Sequence, residues 1–360
     1  MPRLPPQLLQ RAKSISPDLA TLLPACRDLT SASNELRWLK EHVDKLTAYD
    51  KQWRLSKLCR KRGRGVPLQY ILGSQPFGSL HVLCKPGVLI PRPETEAYTL
   101  HLVDLIKSGS LAGSTPADGL TILDFCTGPG CISLLLFSAL QSSAPSLSVC
   151  GVDVSPLALR LARKNLVHNA GIGSTGQSGR NQSLRFDKVD VFSDADIQTL
   201  ARATNSRLDL MISNPPYVSK DTWTYGRGQM GYSVSKYEPK LALVPGDHLP
   251  LVPDGLGLEQ EDVFYYRLLD IALVLKPRAV FFEVGDEEQA YRVARFSHYH
   301  DFSPAGTCIE IWRDWPDMSG SEEGSGIVLL TSLEGNKLDV SIKGQGNVRA
   351  VLIKPPQSIE

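Results

Sequence analysis

Asn214, Pro215, Pro216 and Tyr217 form an NPPY run directly after the apolar stretch LDLMIS, and their types and spacing suit chemistry on a planar nitrogen. An amide or exocyclic amine is a poor nucleophile because its lone pair is delocalised into a π-system. A catalyst helps by accepting both N–H hydrogens and turning the lone pair toward an electrophilic donor. Asn214 offers a side-chain carbonyl for this. Pro215 offers a main-chain carbonyl whose direction the adjoining proline rings help to fix. Pro216 and Tyr217 would wall a slot for the planar group. The plain alternative is a proline-rich turn closing a strand, and the glycine turn and acidic strand ends upstream weigh against it.

The glycine turn is DFCTGPG, Asp124 to Gly130, between the strand LTILDFC and a helical run. Cys126, Thr127, Gly128, Pro129 and Gly130 would let backbone N–H groups approach a ligand at the helix N-terminus. Cys126 stands where a dinucleotide fingerprint has its first glycine, so a nicotinamide-dependent dehydrogenase is a poor reading. Asp153 ends the strand LSVCGVDV, where a carboxylate can accept hydrogen bonds from ribose hydroxyls; a charge at the start of the next helix is the structural alternative. Asp190, in KVDVF, is placed for an adenine amino group, with Val191 beside the ring. Glu283 ends AVFFEVG and is expected to face the same pocket, supporting the cofactor amino group or the substrate loop. No strong base is required, because an amide nitrogen can lose its proton after the transfer.

These residues need a scaffold that brings strand ends together. Apolar strands alternating with helices from Pro93 onward predict a doubly wound α/β sheet with ligand at the strand C-termini. The helices span Glu94 to Lys107, Ile132 to Leu140, a stretch opened by Ser155 and Pro156, and Glu259 to Leu275. KLDVSIKG and NVRAVLI predict an antiparallel hairpin closing the sheet edge. Upstream, residues 17–62 read as helical, with Leu36, Leu39, Val43 and Leu46 on one face and Ser31 or Ser33 as N-cap. A further helix from Tyr49 to Arg62 ends in Lys57, Arg60, Lys61, Arg62 and Arg64, cations that a helix C-terminus favours. PLQYILG and PFGSLHVLCKPGVLI read as short β pieces of a connecting hairpin. The expected organisation is a helical domain over 1–66, a β-hairpin linker over 67–92 and an α/β domain over 93–360. Surface insertions of linker composition are expected near 171–183 and 316–327.

Bulk properties narrow the partners. The formal net charge of +1 gives no global pull toward nucleic acid or membrane. No stretch approaches the roughly 18 uninterrupted apolar residues of a membrane span. The seven cysteines are scattered without a CxxC pair, so no metal is expected. Residues 1–17 hold Arg3, Arg11 and Lys13 and no acid before Asp18, the composition of a mitochondrial transit peptide. Pro5 and Pro6 interrupt a long amphipathic helix there, and a cytoplasmic location is the alternative.

The sequence resembles the HemK/PrmC-type protein-(glutamine-N5) methyltransferases that modify peptide chain release factors. The likeness runs from the N-terminal helices to about Trp312, through PLQYILG, GVLIPRPETE, DFCTGPG, GVDVSPLAL, SNPPYV, KYEP, DGLGLE and FFEVG. NPPY also occurs in adenine methyltransferases acting on DNA; IPRPETE beside NPPY is far more specific.

The resemblance implies a Rossmann-like class I S-adenosylmethionine-dependent methyltransferase: a doubly wound seven-stranded sheet with an antiparallel C-terminal hairpin, preceded by a small helical domain that docks the substrate. It implies that Asn214 and Pro215 hold the glutamine amide, that Asp153 binds the cofactor ribose and that the 126–130 turn holds its methionine end. Leu89, Ile90, Pro91 and Arg92 would lie against the substrate and methyl group. S-adenosylhomocysteine would be the product. The protein substrate would be a class 1 release factor, methylated in a Gly-Gly-Gln loop, in the mitochondrial branch of the family. The family's DLGTGSG is DFCTGPG here, so Cys126 occupies a position where glycine supplies an unusual φ/ψ. The competing readings are an adenine-N6 nucleic-acid methyltransferase, against which the absence of a strongly basic chain speaks, and a binding protein that keeps the fold without catalysis.

Overall fold

A computed structural model describes residues 3–46, 50–111, 117, 119–169, 181–204, 207–225, 230–318, 326–331 and 337–356. The chain opens with a helical bundle: α1 (Pro6–Ile15), α2 (Pro17–Cys26), α3 (Leu29–Asp44), α4 (Lys51–Gly63) and the short α5 (Leu68–Leu72). Pro6 and Pro17 sit in the first turns of α1 and α2, where a missing N–H costs nothing. Thus Pro6 starts a ten-residue helix rather than preventing one. Asp28, not Ser31 or Ser33, caps α3 by accepting the Ser31 N–H at 2.8 Å. Leu19, Leu22, Leu23, Leu36, Leu39, Val43, Leu55 and Cys59 form the bundle core. A shielded Arg62–Glu35 pair at 2.6 Å joins α4 to α3.

PLQYILG is helical, not a β piece. Leu68, Ile71 and Leu72 repeat at i, i+3 and i+4, and Gly73 ends the turn with φ 84°. The hairpin that follows is formed by β1 (Ser74–Phe77) and β2 (Leu80–Leu83).

The remaining strands build one sheet: β3 (Leu120–Phe125), β4 (Ser146–Asp153), β5 (Asn181–Lys188), β6 (Leu210–Ser213), β7 (Ala279–Glu283), β8 (Cys308–Trp315), β9 (Gly326–Thr331), β10 (Lys337–Lys343) and β11 (Gln345–Lys354). Their order is β5-β4-β3-β6-β7-β11-β8-β10-β9, with β5 through β7 parallel. The helices are α6 (Pro93–Lys107), α7 (Cys131–Leu140), α8 (Pro156–His168), α9 (Asp194–Ala203), α10 (Lys220–Tyr225), α11 (Tyr232–Tyr237), α12 (Val263–Leu275) and α13 (Glu287–Tyr299). One face of the sheet packs on Tyr98, Leu102 and Ile106 of α6 and Leu134 and Phe137 of α7. The other packs on Ile197 of α9, Leu268 and Ile271 of α12 and Val293 of α13.

The sheet has nine strands among the described residues, not seven. The order β5-β4-β3-β6-β7-β11-β8 is the expected doubly wound core, and β10 and β9 extend its edge. The expected hairpin of KLDVSIKG and NVRAVLI is not present: β10 and β11 do not pair with each other. They flank β8, β10 parallel and β11 antiparallel to it. Gly344 carries the chain over the end of β8 with φ 88°, where an added Cβ would fall 2.5 Å from the Trp315 carbonyl oxygen. Asn181–Ser183, expected in an insertion, open β5, and Gly326–Ile327 open β9. Of the rest, 316–318 form the turn after β8, and 171–180 and 319–325 lie outside the described residues. The strand sequence reverses direction between β3 and β6, which opens a crevice at their carboxyl ends.

Candidate active site

The crevice is a cleft of about 340 Å³. Of the residues predicted from sequence, Leu89, Pro91, Arg92, Cys126, Thr127, Gly128, Pro129, Asp153, Asp190, Val191, Asn214 and Pro216 line it. Ile90, Gly130, Pro215, Tyr217 and Glu283 are not among the residues that line it.

The turn after β3 forms the floor. Thr127 N–H donates to Val152 O at 3.0 Å, and Gly130 N–H to Thr127 O at 2.9 Å. Cys126, Gly128 and Gly130 all have positive φ, 59°, 56° and 81°. Cys126 therefore keeps the left-handed backbone that glycine normally supplies, at a cost of about 1–2 kcal/mol. Beneath the turn Asp124 is wholly buried. Its Oδ2 accepts hydrogen bonds from the Thr127 and Ser133 hydroxyls, each at 2.6 Å, while Oδ1 has no partner. Burial pushes this carboxyl up to about 6, against the lowering effect of the two hydroxyls.

Asp153 joins the turn to the next helix. Its Oδ2 accepts the Gly128 N–H at 2.9 Å and its Oδ1 the Ser155 N–H at 2.8 Å, and Ser155 in turn caps α8. Burial raises the Asp153 carboxyl while these two amides pull it down. Asp190 lies two residues past β5, its Oδ1 accepting the Phe192 N–H at 2.9 Å. Val189, Val191, Phe192 and Phe264 make an apolar wall beside it.

Asn214 and Pro216 enter the cleft from the end of β6. Tyr217 is held from behind. Its hydroxyl donates to Glu283 Oε1 at 3.1 Å, and its carbonyl accepts from Gln289 Nε2 at 3.3 Å. Glu283 corrects an expectation, since its carboxylate does not face the cleft. Oε2 accepts the Thr95 hydroxyl at 2.7 Å and the Tyr98 hydroxyl at 2.8 Å. Burial raises the Glu283 carboxyl, and the Thr95, Tyr98 and Tyr217 hydroxyls partly offset this. Gln289 also accepts the Gly285 N–H and donates to Asp262, which pairs with Arg292 at 2.6 Å. Thr95, Tyr98, Gln289, Phe264, His248 and Leu249 are parts of this site that sequence reading missed. Thr95 was within reach, because it is the threonine of IPRPETE; the others carry no local signal.

Among the described residues no group of three His, Cys, Asp or Glu side chains is placed to hold a metal, and all seven cysteines are free thiols. Among the same residues no helix is long and apolar enough to cross a membrane.

No protein-family model matches the chain. Individual relatives do. The mitochondrial MRF1 N(5)-glutamine methyltransferase MTQ1 of Saccharomyces cerevisiae is 34% identical over 271 residues, 75% of this chain and 77% of that protein. The probable MRF1 mitochondrial N(5)-glutamine methyltransferase mtq1 of Schizosaccharomyces pombe is 35% identical, over 76% of this chain and 83% of that one. The release factor glutamine methyltransferase of Bacillus subtilis is 32% identical, over 67% and 70%. The chain belongs to the release factor glutamine methyltransferase family. Among solved structures, the hMettl16 catalytic domain in complex with a MAT2A 3'UTR hairpin covers 90% of this chain at 15% identity with a TM-score of 0.47, too loose a likeness to bear on the reading.

As a release factor glutamine methyltransferase, the chain is an enzyme whose methyl donor is S-adenosylmethionine. The cleft fits that donor. Outside its two chain neighbours, Gly128 has only the Cys126 carbonyl oxygen, at 4.0 Å, near an added Cβ, so a ligand can approach the backbone there. The acidic Asp153 and Asp190 on its walls and the unpartnered Asp124 Oδ1 beneath its floor suit a cationic ligand. The apolar wall of Val191, Phe192 and Phe264 suits a flat ring.

Proposed function

We propose that the chain transfers a methyl group from S-adenosylmethionine to the N5 side-chain amide nitrogen of a glutamine in a Gly-Gly-Gln loop of a class 1 peptide chain release factor. The observation that carries this reading is the entry of Asn214 and Pro216 into the same cleft as the 126–130 turn, Asp153 and Asp190. Donor and acceptor sites are thus one space. The kinship to release factor glutamine methyltransferases supports the release factor as substrate, and the two fungal relatives, both mitochondrial MRF1 methyltransferases by name, support a mitochondrial location.

In this reading Asp153 accepts from the donor's ribose hydroxyls, Asp190 and Val191 take its adenine, and residues 126–130 cradle its methionine end. When bound, the donor supplies an electrophilic methyl group on a sulfonium. The Asn214 side-chain carbonyl and the Pro215 main-chain carbonyl accept the two amide N–H groups, turning the nitrogen lone pair into the cleft. Pro216 walls the planar amide with Tyr217 packed behind it, and Leu89, Pro91 and Arg92 line the same cleft. Asn214 keeps hold of one N–H while the other proton leaves to water after transfer.

The test is methylation by labelled S-adenosylmethionine of a purified mitochondrial release factor, with DNA and RNA as separate acceptors. Label on the release factor that disappears when its Gly-Gly-Gln glutamine is replaced supports the assignment; label on nucleic acid alone overturns it. Asn214→Ala should lower kcat by about 10²–10³ while S-adenosylhomocysteine binding changes little. Equal loss of both would make Asn214 a cofactor ligand instead.

A further inference from the structure

We propose that Glu238 is a positioning residue for this methyl transfer: it clamps residues 87–92 into place as one wall of the cleft. The proposal rests on the function given above. The 87–95 stretch runs the length of the site. At one end Val88 packs on Ala158 and Leu161 of α8, beside Asp153 and Ser155. At the other end Thr95 bonds to Glu283, which also receives the Tyr217 hydroxyl. Between these ends, residues 88–92 belong to no helix or strand, so no ladder fixes them. Leu89, Pro91 and Arg92 line the cleft while Ile90 is buried away from it.

Glu238 reaches this stretch from 146 residues or more along the chain. Its Oε2 accepts the Ile90 N–H at 3.1 Å, and its Oε1 accepts from Arg92 Nη2 at 2.7 Å. The Glu238 side chain is 1% exposed. A carboxylate so shielded must keep its partners, because an unpaired buried charge is strongly destabilising. Two neutral contacts assist: the Tyr70 hydroxyl donates to Val88 O at 2.7 Å and Gln75 Nε2 to Pro91 O at 2.6 Å. Glu238 is set just after α11, and the following Pro239, Leu241 and Ala242 line the cleft themselves. One side chain therefore ties two walls together. Removing it loosens a stretch of backbone that shares the cleft with Asn214, while Glu238 itself does not line that cleft.

The experiment uses the full chain and two readouts: hydrogen exchange of peptides spanning 85–95, and kcat and KM with the release factor. Glu238→Ala should speed exchange at Ile90 by about tenfold or more. It should lower kcat by about ten- to a hundredfold with little change in KM, since an ångström of misplacement costs that much. Glu238→Gln keeps an acceptor for Ile90 N–H and should restore most of the protection and part of kcat. Unchanged Ile90 exchange, a raised KM with intact kcat, or lost protection across β3 to β7 would each overturn the proposal. If the wild-type chain leaves the release factor unmethylated, the functional reading fails, and Ile90 exchange still decides whether the clamp exists.

Discussion

Asp124 holds a proton more tightly in the folded chain than in the unfolded one, because burial raises its carboxyl from an ordinary value near 4 to about 6. Its stabilising contribution is therefore complete below about pH 4 and is lost as pH rises through about 6. Asp124→Asn leaves an acceptor for the Thr127 and Ser133 hydroxyls and removes the charge. Urea denaturation of both proteins without donor should show wild-type stability falling by about 2 kcal/mol relative to the variant between pH 4 and pH 7. A pH-independent difference would show that the site does not hold its proton. Cys126 illustrates what could be read at this scale. Its type and place in the turn were plain from sequence, but whether a side chain could adopt a left-handed φ there was not. That depends on the Thr127 to Val152 bond, made by a strand 25 residues further on.

The elements meet at Glu283. At the end of β7 it takes hydroxyls from α6 and from the NPPY turn, so three separately positioned elements share one carboxylate. Glu283→Ala would leave three hydroxyls near a new cavity and should destabilise the fold by about 3–5 kcal/mol. Tyr217→Phe, which loses one bond, should cost about 1 kcal/mol by the same denaturation measurement. Equal effects would show that the carboxylate does not link the elements. The sequence located β7 and the NPPY turn well, because each is an apolar run closed by a distinctive residue. It failed where a short apolar run fits two periods, as in PLQYILG, and where the pattern marks a strand but not its neighbour, as in KLDVSIKG and NVRAVLI.

At the scale of the molecule, the helical bundle is tied to the catalytic part by the stretch that follows NPPY. The Ser233 hydroxyl donates to Gly65 O at 2.6 Å and the Tyr237 hydroxyl to Arg64 O at 3.2 Å. The Tyr232 ring lies where a Cβ on Gly65 would approach to 2.7 Å, and Gly65 has φ 93°. Gly65→Ala should cost about 1–3 kcal/mol and raise the release factor KM if the bundle presents the substrate. A KM unmoved despite the lost stability would separate docking from folding. The sequence showed a helical segment and an α/β segment but not this joint, whose residues are small, polar or aromatic and follow no period.

The order of the strands also has a consequence for how the protein is made. β11, residues 345–354, fills the place between β7 and β8, which precede it in the chain. A nascent chain that has emerged only as far as β8 holds two strands with a gap between them, each offering an unpaired edge. The sheet under the cleft closes only when residues beyond 345 arrive and pass over β8 at Gly344. Chains cut short of that point would carry every residue of the proposed active site and still lack the strand that joins β7 to β8.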